Sequence, residues 1–411
     1  MKHRLPRSEI GKAEVFGTLN RYNFDILVDR ENMASIREIK SRNTQREKQF
    51  ISLWGAEFEF PTAPCIIDGI VEWAKKGLAA YNIPDDELLG CIQRWMKMHR
   101  NWDIEKTWIV PTYGLTASVA TICRAFTEPG DGIIGFDPVY HMTWEAVELN
   151  GRKHISCPLI FENRTYRIDY ERLEELCKNP KNKIITVCNP HNPIAKVWGR
   201  EDLQKIAKLA YQYKKIIYSD EIFADQVYEG VEMLTFHQVT DLPVKVIVAT
   251  SLGKTFSMTG VGQANLIISD KETRDVFIRQ RDIDHYGSFN PMMRAAYLSG
   301  YTKEGQDWVR AMMAYCWETY VELERYLEKY IPQMKPIRPE GSFILWIDCR
   351  GFGFESDAQL QEFLESSGFL CDMGKQYGSE PGFIRIHLAA PRKEILRVFE
   401  ELSHVVCSET L

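Results

Sequence analysis

Short apolar segments alternate with amphipathic segments through the middle of this 411-residue chain. Residues 133–136, 183–188 and 244–248 have the length and β-branched content of buried strands, and residues 116–126 and 202–213 have helical spacing. Helices that connect successive strands make those strands parallel and cover both faces of the sheet. The alternation therefore predicts an α/β fold with a mainly parallel sheet, in which ligands bind beyond the carboxyl ends of the strands.

The length of the chain predicts two domains, because 411 residues exceed one compact core. We expect residues 61–306 to form a large domain, with residues 1–60 and 307–411 supplying an N-terminal arm and a smaller α+β domain. A helix over residues 307–330 is expected to leave the large domain, since a proline-rich break follows it. Residues 1 to about 50 are mixed and charged, with residues 37–48 rich in both signs, which is typical of a solvated arm or helix rather than a core element.

Charge and cysteine usage exclude several classes of function. With 51 basic and 57 acidic residues the net charge is −6, so neither nucleic acid nor an anionic membrane is expected as a partner. No apolar segment is long enough to span a bilayer, and the basic N-terminus is not followed by an apolar stretch, which favours a cytosolic protein. The ten cysteines include no Cys-x-x-Cys pair, and no metal site is predicted.

Lys254 stands shortly after the apolar stretch 244–248, which has the features of a buried strand. A lysine held at the end of a buried strand can have its pKa lowered enough to act as nucleophile and base. The alternative is a lysine that extends its amine to water. Gly253 and Thr255 also resemble the end of a phosphate-binding P-loop, but Val248 occupies the position where that motif requires its other glycine.

Four other strand ends carry groups that suit one cofactor. They are Asn192 between two prolines, Asp220, Tyr140, and the predicted helix start at residues 113–116, whose free N–H groups can bind phosphate. Each has a structural alternative: Asp220 as a helix cap, Asn192 as a turn residue and Tyr140 as core packing. Together with the lysine, they supply the anion site, aromatic face, amide, carboxylate and amine that pyridoxal phosphate requires.

Eight segments also match one known family, in order along nearly the whole chain: residues 24–25, 56–60, 138–140, 189–193, 219–222, 251–256, 340–342 and 382–386. In these segments the chain resembles the fold-type I pyridoxal-phosphate enzymes of aminotransferase class I/II. Within that family it is most similar to the cystathionine β-lyase branch of C–S lyases. The resemblance implies a large domain with a mainly parallel sheet and a smaller α+β domain.

The resemblance implies a role for four residues around the cofactor ring. Lys254 would bind the cofactor covalently, and Asp220 would pair with its pyridinium nitrogen. Asn192 would bond to the ring hydroxyl, and Tyr140 would stack on the ring.

The resemblance also implies contacts to the phosphate and to an amino-acid substrate. The backbone amides of Leu115 and Thr116, together with Ser251, would hold the phosphate. Tyr81 would reach the phosphate of the neighbouring subunit, which implies a homodimer. Arg385 would bind the α-carboxylate of the substrate, a task that suits a bidentate guanidinium.

Three residues depart from the family pattern. Phe223 occupies a position where aminotransferases have tyrosine and the lyases usually have histidine. Gly262 occupies the position of the phosphate-binding arginine of typical aminotransferases, as in the lyase branch. Ala195 replaces a glycine, and if that position is left-handed the alanine costs about 1–2 kcal/mol.

Three functions remain open from the sequence. The first is β-elimination from an S-substituted cysteine, which releases a thiol, pyruvate and ammonia, with Lys254 taking the α-proton and Asp220 keeping the pyridinium charged. The second is transamination, which shares the first proton transfer. The third, a regulatory cofactor-binding protein, predicts loss of Lys254, Asp220 or Arg385, and all three are present. We expect the lyase.

Overall fold

The computed structural model of the protein describes residues 21–36, 52–285 and 289–409. None of the helices in these ranges combines the length and the hydropathy that crossing a membrane requires. The elements up to residue 300 are α1 (Pro64–Ala74), α2 (Asp86–Arg100), β1 (Ile109–Thr112), α3 (Leu115–Phe126), β2 (Gly132–Gly135), α4 (His141–Leu149), β3 (Lys153–Ser156), β4 (Ile160–Glu162), β5 (Thr165–Arg167), α5 (Tyr170–Lys178), β6 (Asn182–Cys188), α6 (Arg200–Gln212), β7 (Ile216–Asp220), β8 (Val246–Thr250), α7 (Leu252–Thr255), β9 (Ala264–Ile267), α8 (Lys271–Ile283) and α9 (Pro291–Gly300).

A seven-stranded sheet forms the centre of this part of the chain, with strand order β1-β9-β8-β7-β6-β2-β3. All its strands run in one direction except β9, which is antiparallel to both β1 and β8. The central strands β6, β7 and β8 consist mainly of buried apolar residues, as expected for strands covered by helices on both faces. The predicted α/β fold with a mainly parallel sheet is confirmed.

A second, four-stranded antiparallel sheet follows a 28-residue helix. Its elements are α10 (Lys303–Tyr330), β10 (Lys335–Pro336), β11 (Ile344–Asp348), α11 (Asp357–Ser366), β12 (Asp372–Met373), β13 (Phe383–His387) and α12 (Arg392–Glu409), and the strand order is β10-β11-β13-β12. The helix begins at Lys303, four residues before the predicted start, because the Thr302 hydroxyl accepts a hydrogen bond of 3.2 Å from the Gly305 N–H.

Part of the N-terminal arm belongs to the hydrophobic core. Phe24 is only 4% exposed, and its ring lies 5.0 Å from that of Phe60 and 5.7 Å from that of Trp308. The expectation that residues 1 to about 50 contribute no core element is therefore wrong at Phe24, because burial of one aromatic ring outweighs the polar character of its neighbours. The charged stretch 37–48 lies outside the described residues.

Candidate active site

The carboxyl ends of the parallel strands bring the predicted residues to one edge of the large sheet. Asp220, the last residue of β7, lies between Cys188 of β6 and Ala249 of β8. The Asn192 loop follows Cys188, and Lys254 follows β8 within the short helix α7. An amide, a carboxylate and an amine therefore lie at or just beyond the ends of three adjacent strands.

The side chain of Lys254 points into the protein. The Ser251 hydroxyl caps α7 by accepting a hydrogen bond of 2.9 Å from the Gly253 N–H. From this helix the Lys254 amine donates a hydrogen bond of 2.9 Å to the carbonyl oxygen of Ala56 and lies 6.0 Å from the ring centroid of Phe223. A lysine that extends its amine to water does not fit these contacts.

Asp220 is a buried carboxylate, and the alternative of a helix cap is wrong, because the residues that follow it form turns. Its Oδ1 accepts a hydrogen bond of 3.2 Å from the Ile222 N–H. Burial raises the pKa of Asp220 to about 6, against the lowering effects of the Ile222 N–H and of Lys254. A buried carboxylate of this kind fits a cationic N–H group as its partner, and the pyridinium of pyridoxal phosphate is such a group.

Asn192 contacts Arg385, the residue predicted to bind the substrate carboxylate. Arg385 lies in the middle of β13 and is 3% exposed. Its Nη1 donates a hydrogen bond of 2.9 Å to Oδ1 of Asn192, which is also buried. The small sheet therefore brings the arginine to the strand ends of the large sheet.

Sequence reasoning did not identify Asp372, which forms an ion pair with Arg385. The Arg385 Nε donates to Asp372 Oδ2 over 3.0 Å, and Nη2 donates to the same oxygen. The two residues lie opposite each other where β12 pairs with β13. Burial alone would raise the pKa of Asp372, but Arg385 lowers it below the ordinary value. A two-residue strand has no periodicity in the sequence, so no signal placed this carboxylate near the arginine.

Two tyrosines lie near the same guanidinium. The ring centroid of Tyr377 lies 4.8 Å from the guanidinium carbon of Arg385. Tyr140, the residue that precedes α4, is partly buried and packs against the main core. Burial raises the pKa of Tyr140; Arg385 acts to lower it and Asp220 acts to raise it, so the phenol lies within electrostatic reach of both. Tyr140 therefore packs against the core and also lies near the charged groups of the site.

The residues predicted to hold the phosphate lie at two helix starts. Leu115 and Thr116 are the first residues of α3, which has no side-chain cap and is preceded by Gly114 at φ 92°. Uncapped N–H groups at a helix start suit a phosphate. The Ser251 hydroxyl donates a hydrogen bond of 2.7 Å to the Gln263 carbonyl, so a phosphate contact there would require it to leave that carbonyl.

Two departures from the family pattern have a structural explanation. Gly262 has φ 63°, and a Cβ added to it would lie 3.4 Å from the ring of Tyr113, so an arginine would be strained and would meet that ring. Ala195 has φ 55°, so its backbone is in the left-handed region, where an alanine costs about 1–2 kcal/mol relative to glycine. Its carbonyl accepts hydrogen bonds from the N–H groups of Glu340 (2.8 Å) and Gly341 (3.1 Å).

Tyr81 does not join the other predicted residues within this chain. Its side chain is completely exposed, on the segment that follows α1. Other large apolar side chains of α1 and this segment are also exposed, namely Ile67, Val71, Leu78 and Ile83.

No candidate metal site is present in the described part of the chain. It holds no group of three or more His, Cys, Asp or Glu residues that could bind a metal ion.

Comparisons with known proteins identify the family of this chain. The family model described as aminotransferase class I and II matches residues 51–402. Cystathionine beta-lyase PatB of Bacillus subtilis is 28% identical over 368 residues, which cover 89% of this chain and 95% of PatB. Protein MalY of Escherichia coli is 24% identical over 343 residues, covering 83% of this chain and 87% of MalY. The crystal structure of cystalysin from Treponema denticola, which contains pyridoxal 5'-phosphate, is 30% identical, with a TM-score of 0.89 over 94% of this chain and 99% of cystalysin.

Proposed function

The chain belongs to the aminotransferase class I and II family, and on that premise we propose that it is a pyridoxal-phosphate-dependent carbon–sulfur β-lyase. It cleaves an S-substituted cysteine to a thiol, pyruvate and ammonia. The similarity to PatB over 89% of the chain carries this proposal, because PatB is a named cystathionine β-lyase. The cofactor is supported by cystalysin, which contains it and has the same fold.

The site has a residue for each part of the cofactor. Lys254 would hold the aldehyde carbon covalently, Asp220 would face the ring nitrogen, and Tyr140 would lie against the ring. The uncapped start of α3 at Leu115 and Thr116 would hold the phosphate. When bound, pyridoxal phosphate withdraws electrons from the substrate α-carbon and so acidifies its C–H bond.

The residues around the substrate divide the elimination between them. Arg385 binds the α-carboxylate and fixes the position of the α-carbon. Lys254 removes the α-proton, and Asp220 keeps its negative charge beside the ring nitrogen. The bond between the β-carbon and sulfur then breaks, and its electron pair leaves with the thiolate. Water hydrolyses the released enamine to pyruvate and ammonia.

The same family includes aminotransferases, so the reaction type needs a further argument. A typical aminotransferase binds the phosphate with an arginine at the position of Gly262, and here the ring of Tyr113 borders that position. Elimination requires an α-proton, a β-leaving group and a carboxylate clamp, and Lys254 and Arg385 provide the base and the clamp. This supports the lyase.

An assay of products tests the proposal. Purified holoenzyme is incubated with cystathionine and a panel of S-substituted cysteines, without added keto acid, and thiol and pyruvate are measured. We expect both in equal amounts. If turnover requires a keto-acid acceptor and no substrate yields a thiol, the protein is an aminotransferase.

The active unit is proposed to be a homodimer. Tyr81 is completely exposed in the single chain, and the same segment of sequence also exposes Ile67, Val71, Leu78 and Ile83. Several exposed apolar side chains in one segment favour an interface. In a symmetric pair Tyr81 can reach the phosphate of the other subunit.

The two-domain division and the cytosolic location belong to the same proposal. A boundary that assigns residues 61–306 to the large domain is supported by the strands of the seven-stranded sheet, which all lie within residues 109–267. The strands of the small sheet lie within residues 335–387. The cytosolic location is supported by the ten cysteines, which are all free.

A further inference from the structure

The contacts of Arg385 show which of its N–H groups already have a protein partner. A guanidinium has five N–H donors. Nε and one N–H of Nη2 donate to Asp372, and one N–H of Nη1 donates to Asn192. Among the described residues, these bonds use three of the five donors. One N–H on Nη1 and one on Nη2 remain, and these two donors are available to a carboxylate.

Asp372 is itself held firmly, so it can orient the arginine. Its Oδ2 accepts a hydrogen bond of 2.9 Å from the Gly55 N–H, and its Oδ1 accepts one of 3.0 Å from Gln376 Nε2. Its position is also fixed by the pairing of β12 with β13. Because the Asp372 carboxylate accepts from Nε and Nη2, it leaves the other N–H groups of the guanidinium uncovered.

Loss of the Asp372 carboxylate would allow the guanidinium to move. Without a partner at Nε and Nη2, changes in the side-chain torsions of Arg385 could turn other N–H groups toward the substrate. Asn192 would then hold it through one hydrogen bond, and the Tyr377 ring, 4.8 Å from the guanidinium carbon, would limit tilting. A misplaced clamp costs a large factor in binding and rate even when the shift is about 1 Å.

We propose that Asp372 is a positioning residue that determines affinity for the α-carboxylate of the substrate by holding Nε and Nη2 of Arg385 and leaving the remaining N–H groups to the substrate. This inference rests on the proposed role of Arg385 in binding an amino acid. Asp372 does not touch the substrate. Its effect is therefore confined to ligands that carry a carboxylate.

Two variants separate geometry from charge at this position. Asp372→Asn keeps the size of the side chain and an oxygen toward Arg385 but removes the charge. Asp372→Glu keeps the charge but moves the carboxylate by one methylene group. A positioning residue predicts that asparagine preserves function and glutamate does not. The matched control is Asp348→Glu, because Asp348 forms an ion pair with Arg350 on the same sheet outside the site.

The ligands are S-methyl-L-cysteine and the amine that lacks its carboxylate, 2-(methylthio)ethylamine. The Kd of each for the holoenzyme is measured from the change in cofactor absorbance, together with kcat and KM for the amino acid and the Tm of each variant. We expect Asp372→Glu to weaken amino-acid binding by about tenfold or more and to leave amine binding unchanged. Asp372→Asn should stay within about threefold of the wild type for both ligands.

Three results would overturn the inference. In the first, asparagine weakens amino-acid binding as much as glutamate does, so that charge alone matters. In the second, the variants weaken binding of amine and amino acid equally, which indicates a general structural role. In the third, Asp372→Glu changes the binding of neither the amino acid nor the amine. If Asp372→Glu fails to fold, Asp372→Asn decides: a loss of more than about tenfold overturns the inference. A wild-type enzyme that binds both ligands equally would instead refute the role of Arg385.

Discussion

The amine of Lys254 and the carbonyl oxygen of Ala56 lie 2.9 Å apart, although the residues are separated by 198 positions in the chain. The preceding residue, Gly55, donates its N–H to Asp372, the partner of Arg385. One short backbone segment therefore contacts both the lysine expected to bear the cofactor and the ion pair beside the substrate carboxylate. Loading of Lys254 must break its bond to Ala56, so we expect this segment to shift when the cofactor binds.

Lys254→Ala should abolish covalent attachment of the cofactor and lower turnover by a factor of about 10² to 10⁴, because the variant lacks the base. Borohydride reduction followed by peptide mapping measures the attachment. Lys271→Ala, at an exposed position of α8, is the control and should keep both adduct and activity. A reduced adduct on another lysine of the Lys254→Ala protein would contradict the assignment.

Asp220→Asn should leave a folded protein whose turnover falls by a factor of about 10² or more, because a neutral amide no longer stabilises positive charge on the ring nitrogen. Steady-state kinetics and circular dichroism measure the two properties. Near-normal turnover in the folded variant would mean that this carboxylate has only a structural role.

The same substitution should stabilise the cofactor-free protein at neutral pH. Burial raises the pKa of Asp220 from 3.8 to about 6, so between these values the folded state binds the proton more tightly than the unfolded state. The free energy of unfolding therefore falls as pH rises through this window, by roughly 2–3 kcal/mol in total. Asparagine does not titrate, so its advantage in Tm should grow from pH 4 to pH 7 and then level off.

Thermal unfolding of wild-type and Asp220→Asn apoprotein across that pH range checks this prediction. Asp241→Asn, at an exposed position, is the control for loss of one carboxylate. A constant difference for Asp220→Asn would show that the carboxyl titrates equally in both states.

Leu78→Lys combined with Ile83→Lys should convert the proposed dimer to a monomer and weaken cofactor binding, because Tyr81 then no longer meets a second subunit. Both positions are more than 70% exposed. Light scattering and cofactor titration provide the measurements. Leu149→Lys, at an equally exposed apolar position on α4, is the matched control and should remain dimeric. A fully active wild-type monomer would refute the dimer.

Ala195→Gly should raise the free energy of unfolding by about 1 kcal/mol, because residue 195 has φ 55° and glycine removes the left-handed penalty while adding some entropy to the unfolded chain. Ala207→Gly is the matched control. Ala207 lies inside α6, where the same change should cost about 1 kcal/mol. Urea unfolding of both variants measures the two shifts, and equal losses would exclude the backbone explanation.

The large sheet was predictable because its central strands are apolar runs, and amphipathic helices precede β6 and β7. The direction of β9 was not, since a strand antiparallel to both neighbours has the same composition as a parallel one. Phe24 was missed for a related reason. A single aromatic residue has no periodicity, and its burial depends on Phe60 and Trp308, which are distant in the chain.

For the site, the sequence indicated the groups at the strand ends but not the contacts between them. Asp220 ends one apolar strand and Lys254 comes shortly after the neighbouring one, so their proximity could be predicted. The Asp372–Arg385 pair depends on a two-residue strand, and the Lys254–Ala56 bond depends on a loop. Both arise from tertiary packing that leaves no local pattern in the sequence.

Arg385 and Asp372 lie on the small sheet, whereas Asp220 ends a strand of the large sheet and Lys254 and the start of α3 follow two of its other strands. This separation has a consequence for directed evolution. Libraries confined to residues 371–388 vary the residues proposed to bind the substrate carboxylate and leave unchanged those proposed to load the cofactor. Selection for amines or for altered acid groups can begin there, with the proposed cofactor site intact.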